Sequence, residues 1–295
     1  MGGIDFANTI PYENEVLFSP TYDALFKGIF LGTGDYSLLA SLLSSILKLD
    51  IKANGIKVDD SALPKDNVRD RGVRLDLKVT LKGGHIINVE MQIDNEYNMA
   101  KRSIVNASKI IAGQVKVSED YDKVCPVIVI NILNFNYIKG SKRFHNRYRL
   151  KNIANDSEMP DAEIFDINFV ELPKLPKSLG NDKFVWWMKF LSAETEEDLK
   201  MVKAKEPEIF GIAVNKLKKL SANEKIRERI YQEEKDRMDR VSALAKSRRE
   251  GKKEGMKEGI KEGKIKDAIK MKAKGFNDDL IAEITELSIN EIRKL

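Results

Sequence analysis

Apolar and polar residues alternate regularly in two neighbouring stretches of the chain, 73–81 and 85–93. In both stretches the apolar residues fall at odd-numbered positions, with Ile86 as the one exception. A period of two is typical of a β-strand that packs one face against a core. We therefore predict a hairpin of two strands, whose polar face carries Asp76, Glu90 and Gln92.

The length of the turn between these strands decides which polar residues face each other. Antiparallel partners point to the same side of a sheet, so burying both apolar sets requires that paired residue numbers add up to an even total. A three-residue Lys82-Gly83-Gly84 loop meets this condition and sets Asp76 opposite Glu90. A two-residue Gly83-Gly84 turn would put the two carboxylates on opposite faces, unless a bulge restored the parity.

Two carboxylates that face each other repel, and each resists losing its hydration. Such a pair is tolerated where it is partly exposed, shares a proton, forms salt bridges or binds a cation. Two interpretations follow. One is a solvated strand face with Arg74 and Lys78 as counter-charges; the other is a metal site, whose oxygen ligands suit Mg²⁺ or Mn²⁺ better than Zn²⁺.

The residues around the hairpin resemble a known family. The strings "TYDALFKGIF", "RLDLKVTLKGGHIINVEMQIDNEYNMAKRS" and "YDKVCPVIVINIL" follow one another as in the PD-(D/E)XK nuclease superfamily, and within it the Rpn group of recombination-promoting nucleases, also described as transposases. The resemblance covers most of the chain and implies a metal-dependent DNA endonuclease. It implies that Asp76 and Glu90 bind Mg²⁺ or Mn²⁺ and that the carbonyl of Met91 adds a ligand. It also implies that Gln92 orients the attacking water and that Asp23 is an accessory acid.

The sequence departs from the family pattern at two places. Gln92 stands where the superfamily usually has Lys, and an amide can orient water but offers neither a positive charge nor a proton. In the segment 102–111, Val105 and Asn106 replace a paired aromatic that ends in Tyr. These departures keep an alternative function open, in which a catalytically degenerate copy binds DNA or protein partners without cutting.

Basic residues after the hairpin are candidates for DNA binding. The segment 139–151 interleaves them with aromatic residues, a composition typical of a surface that binds a nucleic-acid strand. The same composition is found in ordinary solvated loops. The candidate DNA contacts are Arg102, Lys109, Lys142, Arg143, Arg147 and Arg149.

The remaining pattern predicts an α/β architecture. Apolar spacing predicts helices at 21–30, 35–47 and from 102 onward, and buried strands at 124–133 and 165–172. We expect a restriction-endonuclease-like mixed sheet flanked by helices, followed by an extended helical C-terminal region. Trp186 and Trp187 are expected in a core rather than in base stacking.

The C-terminal third is predicted to be mostly helical and highly charged from Ser221 to Ala273. It contains glycines at a strict spacing of four: Gly251, Gly255, Gly259 and Gly263. Each costs about 1 kcal/mol relative to Ala in a helix. The stretch is either a flexible arm or the contact of a homodimer. The sequence of residues 276–295 predicts a helix, a break near Leu287-Ser288 and a second, short helix. The surface of this segment is acidic, which favours docking or capping over DNA binding.

Composition limits the class of protein. With 295 residues, 42% of them hydrophobic, the chain can bury a good core, and its net charge of +5 suits a phosphate-bearing partner without requiring one. The single cysteine, Cys125, excludes a disulfide within the chain, and two histidines are too few for a zinc cluster. Without a signal peptide or an apolar run of about 20 residues, we expect a cytoplasmic protein that does not enter membranes.

These patterns predict four regions. They are a PD-(D/E)XK nuclease-like domain at 1–180, a helical extension at 181–220, a charged Gly-repeat helical arm at 221–274 and a small helical tail module at 275–295.

Overall fold

The computed structural model describes residues 9–12, 15–32, 34–59, 77–95, 98–115 and 120–295. Within those residues the strands are β1 Thr9–Tyr12, β2 Glu15–Phe18, β3 Ile56–Val58, β4 Leu77–Leu81, β5 Ile86–Gln92, β6 Val127–Leu133, β7 His145–Tyr148 and β8 Phe165–Glu171. The α-helices are α1 Asp23–Leu31, α2 Ser37–Leu47, α3 Met99–Ala112, α4 Lys183–Leu191, α5 Glu196–Lys205, α6 Pro207–Ala222, α7 Glu224–Ala273, α8 Asp278–Thr285 and α9 Ile289–Ile292.

Six of these strands form one mixed sheet in the order β3-β4-β5-β6-β8-β7. Strands β3, β4 and β5 are antiparallel, β5, β6 and β8 are parallel, and β7 returns antiparallel to β8. Every residue of β6 is buried, which agrees with its continuous apolar sequence and with a parallel strand covered on both faces. The predicted fold class, an α/β mixed sheet flanked by helices, is confirmed.

The two faces of the sheet belong to two separate cores. The larger core packs α1, α2, α4, α5 and α6 against the face that carries Ile87, Val89 and Ile128. The smaller core lies under α3, where Met99 and Ala107 pack with residues of the opposite face, among them those of β6 and β8. Trp187 is fully buried in the larger core and Trp186 is 8% exposed, so their predicted packing role is confirmed.

The β4–β5 hairpin has the predicted register. Leu77 pairs with Val89 and Thr80 with Ile86, so each paired sum is even. Three residues lie between Leu81 and His85, and a hydrogen bond of 2.8 Å from the Leu81 amide to the His85 carbonyl closes this loop. The prediction of an odd-length turn is therefore confirmed. Asp76 and Arg74 lie outside the described residues, and the described pairing begins at Leu77.

Several elements differ from the sequence-based expectation. Helix α1 begins at Asp23 and not at Thr21, whose hydroxyl lies 2.8 Å from that of Ser19 in the segment before the helix. The segment expected as a basic loop contains β7, which forms the edge of the sheet. Strands β1, β2 and β3 were also missed, because strands of three or four residues carry too few positions to show a period.

The chain divides into two compact units, 1–233 and 234–295. In the second unit, Ala268 of α7 packs with Ile281, Leu287 and Ile292 of the tail in a small core. Glu286 ends α8 in a left-handed conformation (φ 54°), and Ser288 begins α9 with a capping box. The predicted helix, break and short helix are confirmed.

Helix α7 continues through all four glycines of the repeat. Within the described residues, a Cβ added at any of them would meet no atom within 4 Å, so the single chain contains no close backbone packing there. None of the described helices combines the length and apolar character needed to cross a membrane.

Candidate metal site at Glu90

Glu90 lies in β5, on the face of the sheet that α3 covers. Strands β4 and β6 flank β5 on either side, and the Glu90 side chain is only 1% exposed. Asn88, two residues earlier on the same face, is fully buried. The interpretation of this face as a solvated strand surface is therefore wrong for both residues, because α3 excludes water from them.

The two oxygens of the Glu90 carboxylate have different partners. Oε1 accepts hydrogen bonds from the side-chain amides of Asn106 (2.8 Å) and Asn88 (3.1 Å). Oε2 lies 3.2 Å from Nη2 of Arg102 in an ion pair, yet it is buried and accepts no hydrogen bond within the described part of the chain. A buried carboxylate is costly unless its charge is paired and its oxygens accept hydrogen bonds, so Oε2 is under-coordinated. Oδ1 of the neighbouring Asn88 is likewise buried without a hydrogen-bond partner among the described residues.

A second set of hydrogen bonds fixes α3 on the sheet beside Glu90. Asn131 of β6 is the register partner of Glu90, and its Oδ1 lies 3.0 Å from the Ser103 hydroxyl. The Asn131 amide donates to the backbone carbonyl of Asn168 on β8 (3.1 Å). Ser103, Asn131 and Asn168 are each at most 2% exposed. These contacts tie α3 to β6 through Ser103 and β6 to β8 through Asn131, and so help to hold the helix that carries Arg102 and Asn106 on the sheet.

Sequence reasoning identified Asn106 only as a departure from the family pattern. In the structure it is 1% exposed and contacts Glu90 directly, whereas its neighbour Val105 is 49% exposed. Arg102 and Asn106 are four residues apart and so share one face of α3. The spacing of four residues could have indicated that Arg102 and Asn106 act together. It does not indicate which strand residue this face of α3 covers. Arg102 was expected to contact phosphate, and the structure shows it paired with Glu90.

Gln92 ends β5 two residues beyond Glu90, so both side chains lie on the same face of the sheet. It is half-buried, and its backbone carbonyl accepts a hydrogen bond from the backbone N–H of Asn134 (2.9 Å). Met91 points to the other face, where its side chain is 8% exposed in the larger core. Asp76 is outside the described residues. Its position opposite Glu90 remains a prediction. Leu77 pairs with Val89, so the same register continued by one residue would set Asp76 opposite Glu90.

Asp23 lies at the start of α1, which packs in the core on the other face of the sheet. Its Oδ1 is 2.7 Å from Nζ of Lys27. The backbone amides of Asp23 and Ala24 donate to the carboxylate of Glu233 (3.1 and 3.0 Å). Burial raises the pKa of Glu233, and the neighbouring charge of Asp23 adds to this effect. Among the described residues, these contacts join Asp23 to α1 and α7 and not to Glu90.

The five candidate DNA contacts other than Arg102 lie at three places. Arg147 and Arg149 both bind Asp166, which is 1% exposed, with Nε to Oδ2 distances of 2.8 and 3.0 Å. The hydrogen bond to Asp166 also raises the pKa of Arg149. Because Asp166 is the register partner of Ile128, this cluster lies on the sheet face opposite Glu90.

Lys142 and Arg143 lie nearer the end of the sheet that carries Gln92. They are exposed in the loop that follows β6 and precedes β7. This loop begins at Asn134, beside Gln92, and so extends from the carboxyl-terminal edge of the parallel strands. Lys109 is half-buried near the end of α3, where the chain turns back toward the amino-terminal end of β6, and so lies away from that edge.

The donor set at Glu90 fits a divalent cation. A carboxylate oxygen that is buried and accepts no hydrogen bond is a hard ligand of the kind that Mg²⁺ and Mn²⁺ prefer. Within the described residues, no three His, Cys, Asp or Glu side chains cluster around a common point, and Asp76 is not among those residues.

The structure is an α/β protein in which an antiparallel hairpin leads into parallel strands, with a buried glutamate on its second strand and a helix over that face. This fold is consistent with a PD-(D/E)XK nuclease. A family model described as PD-(D/E)XK nuclease family transposase matches residues 20–247. The chain belongs to this family, and the resemblance noted from its motifs is confirmed. Comparisons with curated proteins and with solved structures gave no match.

Proposed function

We propose that the protein is a metal-dependent DNA endonuclease of the recombination-promoting, transposase-like type, which hydrolyses phosphodiester bonds. The observation that carries the proposal is Glu90, a buried carboxylate with one oxygen held by two amides and the other without a hydrogen bond. A purely structural carboxylate in this position would be expected to have donors on both oxygens. Membership of a nuclease family supports the same activity.

Each residue of the site has a distinct task in this proposal. Glu90 and Asp76 hold Mg²⁺ or Mn²⁺, with the Met91 carbonyl as a further ligand. When bound, the ion polarises the phosphodiester, lowers the pKa of its water and offsets charge on the leaving oxygen. Gln92 orients the water through its amide and cannot act as the base, because an amide does not take up a proton at neutral pH. Asp23 is proposed as an accessory acid on the resemblance alone.

DNA would approach the carboxyl-terminal edge of β5, β6 and β8. Lys142 and Arg143 are exposed at that edge, where their charges can reach a phosphate backbone. The net charge of +5 also favours a phosphate-bearing partner. In this proposal residues 1–180 form the nuclease-like domain, and the protein works in the cytoplasm.

A catalytically degenerate copy is the second candidate, and the ion pair at Glu90 favours it. Arg102 already neutralises the carboxylate at 3.2 Å, and Gln92 stands where the superfamily usually has Lys. Such a protein would bind DNA or a protein partner and leave the DNA uncut.

Plasmid cleavage separates the two candidates. Supercoiled plasmid is incubated with Mg²⁺ or Mn²⁺ and with wild type, Asp76→Ala, Glu90→Ala or the isosteric Glu90→Gln. Glu163→Ala, which removes an exposed carboxylate, is the control. We expect wild type and Glu163→Ala to nick the plasmid and the site variants to lose the activity. Equal cleavage by all variants would contradict the site, and a folded wild type that cuts under no metal condition would favour the degenerate copy.

We also propose a homodimer through α7. This helix exposes large apolar side chains, among them Val241 (49%) and Leu244 (67%). Solvent-exposed apolar residues on a long helix are typical of a surface that packs against a second helix. The mass of the full chain in solution, measured by light scattering, should be that of two chains, and Leu244→Glu should reduce it to one. A monomeric wild type would show that α7 is an arm instead.

A further inference from the structure

We infer that Arg102 is the resident counter-ion of Glu90 and that a divalent cation displaces it from the carboxylate. The inference rests on the proposed metal site and concerns how that site changes when the ion enters. It assigns to Arg102 two alternative positions, one on Glu90 and one released toward solvent.

The two oxygens of the Glu90 carboxylate are bound unequally. Oε1 is held by two neutral amides, from Asn88 and Asn106, which do not compete with a cation for charge. Oε2 is approached by the positive guanidinium of Arg102 at 3.2 Å but accepts no hydrogen bond from it. The amides therefore fix the orientation of the carboxylate, while the contact to Arg102 is an ion pair without a hydrogen bond and is the one that can be exchanged.

The partners of this ion pair also differ in exposure. The Arg102 side chain is 30% exposed, whereas that of Glu90 is 1% exposed. Ser103 and Asn106 remain anchored on the sheet and on Glu90, so α3 need not move when Arg102 leaves. Rotation about the flexible side chain of Arg102 is sufficient to bring its guanidinium into solvent.

Electrostatic repulsion makes the two positive groups exclude each other. A divalent cation on Oε2 and a guanidinium at the same oxygen would repel strongly, because little water is present to screen them. One of the two must leave, and Arg102 has access to solvent. Once released, its planar guanidinium can bind a phosphate oxygen of the substrate, which is the geometry that arginine recognises best. The predicted phosphate contact and the observed ion pair are then two states of one residue.

Calorimetric titration with Mn²⁺ in the absence of DNA tests the exchange. Wild type is compared with Arg102→Gln, with Arg102→Lys, which keeps the charge, and with Glu90→Gln, which removes the ligand. We expect Arg102→Gln to bind Mn²⁺ about tenfold more tightly than wild type, since the competing charge is gone. Arg102→Lys should bind as wild type does, and Glu90→Gln should lose the site.

The outcomes distinguish this inference from the proposed function. If wild type does not bind Mn²⁺, or binds it no better than Glu90→Gln does, both the metal site and the exchange are overturned. If wild type binds at Glu90 but Arg102→Gln shows no gain, only the exchange is overturned. DNA cleavage by each variant is measured separately, and Arg102→Gln should cut less than wild type despite its tighter metal binding.

A measurement on wild type keeps the inference testable if Arg102→Gln does not fold. The side-chain Nε–H signal of Arg102 can be followed by NMR while Mg²⁺ is added. We expect this signal to shift and to exchange faster with water as the cation binds. A signal that stays unchanged while Mg²⁺ binds at Glu90 would overturn the exchange.

Discussion

Glu90 is a buried charge whose stability depends on three neighbours, each of which contributes differently. Asn88 and Asn106 satisfy Oε1, and Arg102 balances the charge at Oε2. Alternation along the chain predicted the strand position of Glu90, but it did not predict these partners. Two of the three lie on another element, so only the folded chain brings them to the carboxylate.

Asn106→Ala tests the two side-chain amides that donate to Oε1 of Glu90. The substitution leaves Glu90 with one amide donor, and we expect it to lower the free energy of unfolding by about 1–3 kcal/mol, as removal of a partner from a buried polar group does. Urea unfolding measures the change. Ser108→Ala, at an exposed position of the same helix, is the matched control and should change stability by less than about 0.5 kcal/mol. An equal effect of both substitutions would contradict the role of Asn106.

The lowered pKa of His145 predicts how the free energy of unfolding depends on pH. Burial lowers the pKa of His145 from its ordinary value of 6.5, although the side chain hydrogen-bonds Asn168 at 2.9 Å. The imidazole of His145 therefore binds a proton more readily in the unfolded chain than in the folded chain. The contribution of His145 to stability is complete above the unfolded pKa and falls as the pH drops below it. Wild type should lose more stability than His145→Gln between about pH 7 and pH 5, by at most about 1.4 kcal/mol per pH unit. Urea unfolding at several pH values measures this, and parallel profiles would contradict it.

At the scale of elements, the hairpin shows what the sequence can predict. Parity reduced the alternatives to an odd-length turn or a bulge, because burying two apolar faces together allows few registers. In the structure β4 and β5 pair in that register, with three residues between Leu81 and His85. The helix, break and short helix of the tail were also predicted, and in the structure Ser288 caps the second of these helices. Short strands such as β3 and β7 were not predicted, because their pairing with distant strands decides their conformation.

Two adjacent glycines of the hairpin loop provide a matched pair of substitutions. Gly84 has φ 92°, and a Cβ there would lie 3.2 Å from Sγ of Cys125. Gly83 has a conformation open to other residues, and its nearest atom would be Nδ1 of His85 at 3.9 Å. We expect Gly84→Ala to destabilise the protein by about 1–3 kcal/mol and Gly83→Ala by less than about 0.5 kcal/mol. Thermal unfolding of the two variants measures the difference, and an equal shift would show that the described loop geometry is wrong.

At the scale of the whole molecule, the basic residues differ in whether they bind a buried carboxylate. Composition predicted both sets as DNA contacts, because charge and aromatic content cannot reveal a buried partner. Arg147 and Arg149 share the buried carboxylate of Asp166, although Arg147 is itself exposed, whereas Lys142 and Arg143 lie in an exposed loop. We therefore expect the two sets to respond differently to substitution.

Replacing both Lys142 and Arg143 by Ala should weaken DNA binding and leave thermal stability unchanged. If each contacts one phosphate, the slope of log affinity against log salt concentration should fall by about 1.8. Arg147→Ala should instead destabilise the fold by about 1–3 kcal/mol, because Asp166 loses a partner. Fluorescence anisotropy over a salt series measures the first effect, and urea unfolding measures the second. A reversed pattern would contradict the proposed path of DNA.

The central claim is that Glu90 holds a divalent cation through Oε2. A crystal of the full chain soaked in Mn²⁺ tests it by anomalous scattering. We expect a peak at about 2.0–2.4 Å from Oε2 of Glu90, with Asp76 as a second ligand and Arg102 turned away from the carboxylate. A crystal that binds Mn²⁺ elsewhere, or that keeps Arg102 on Glu90 with no metal peak, would contradict the claim.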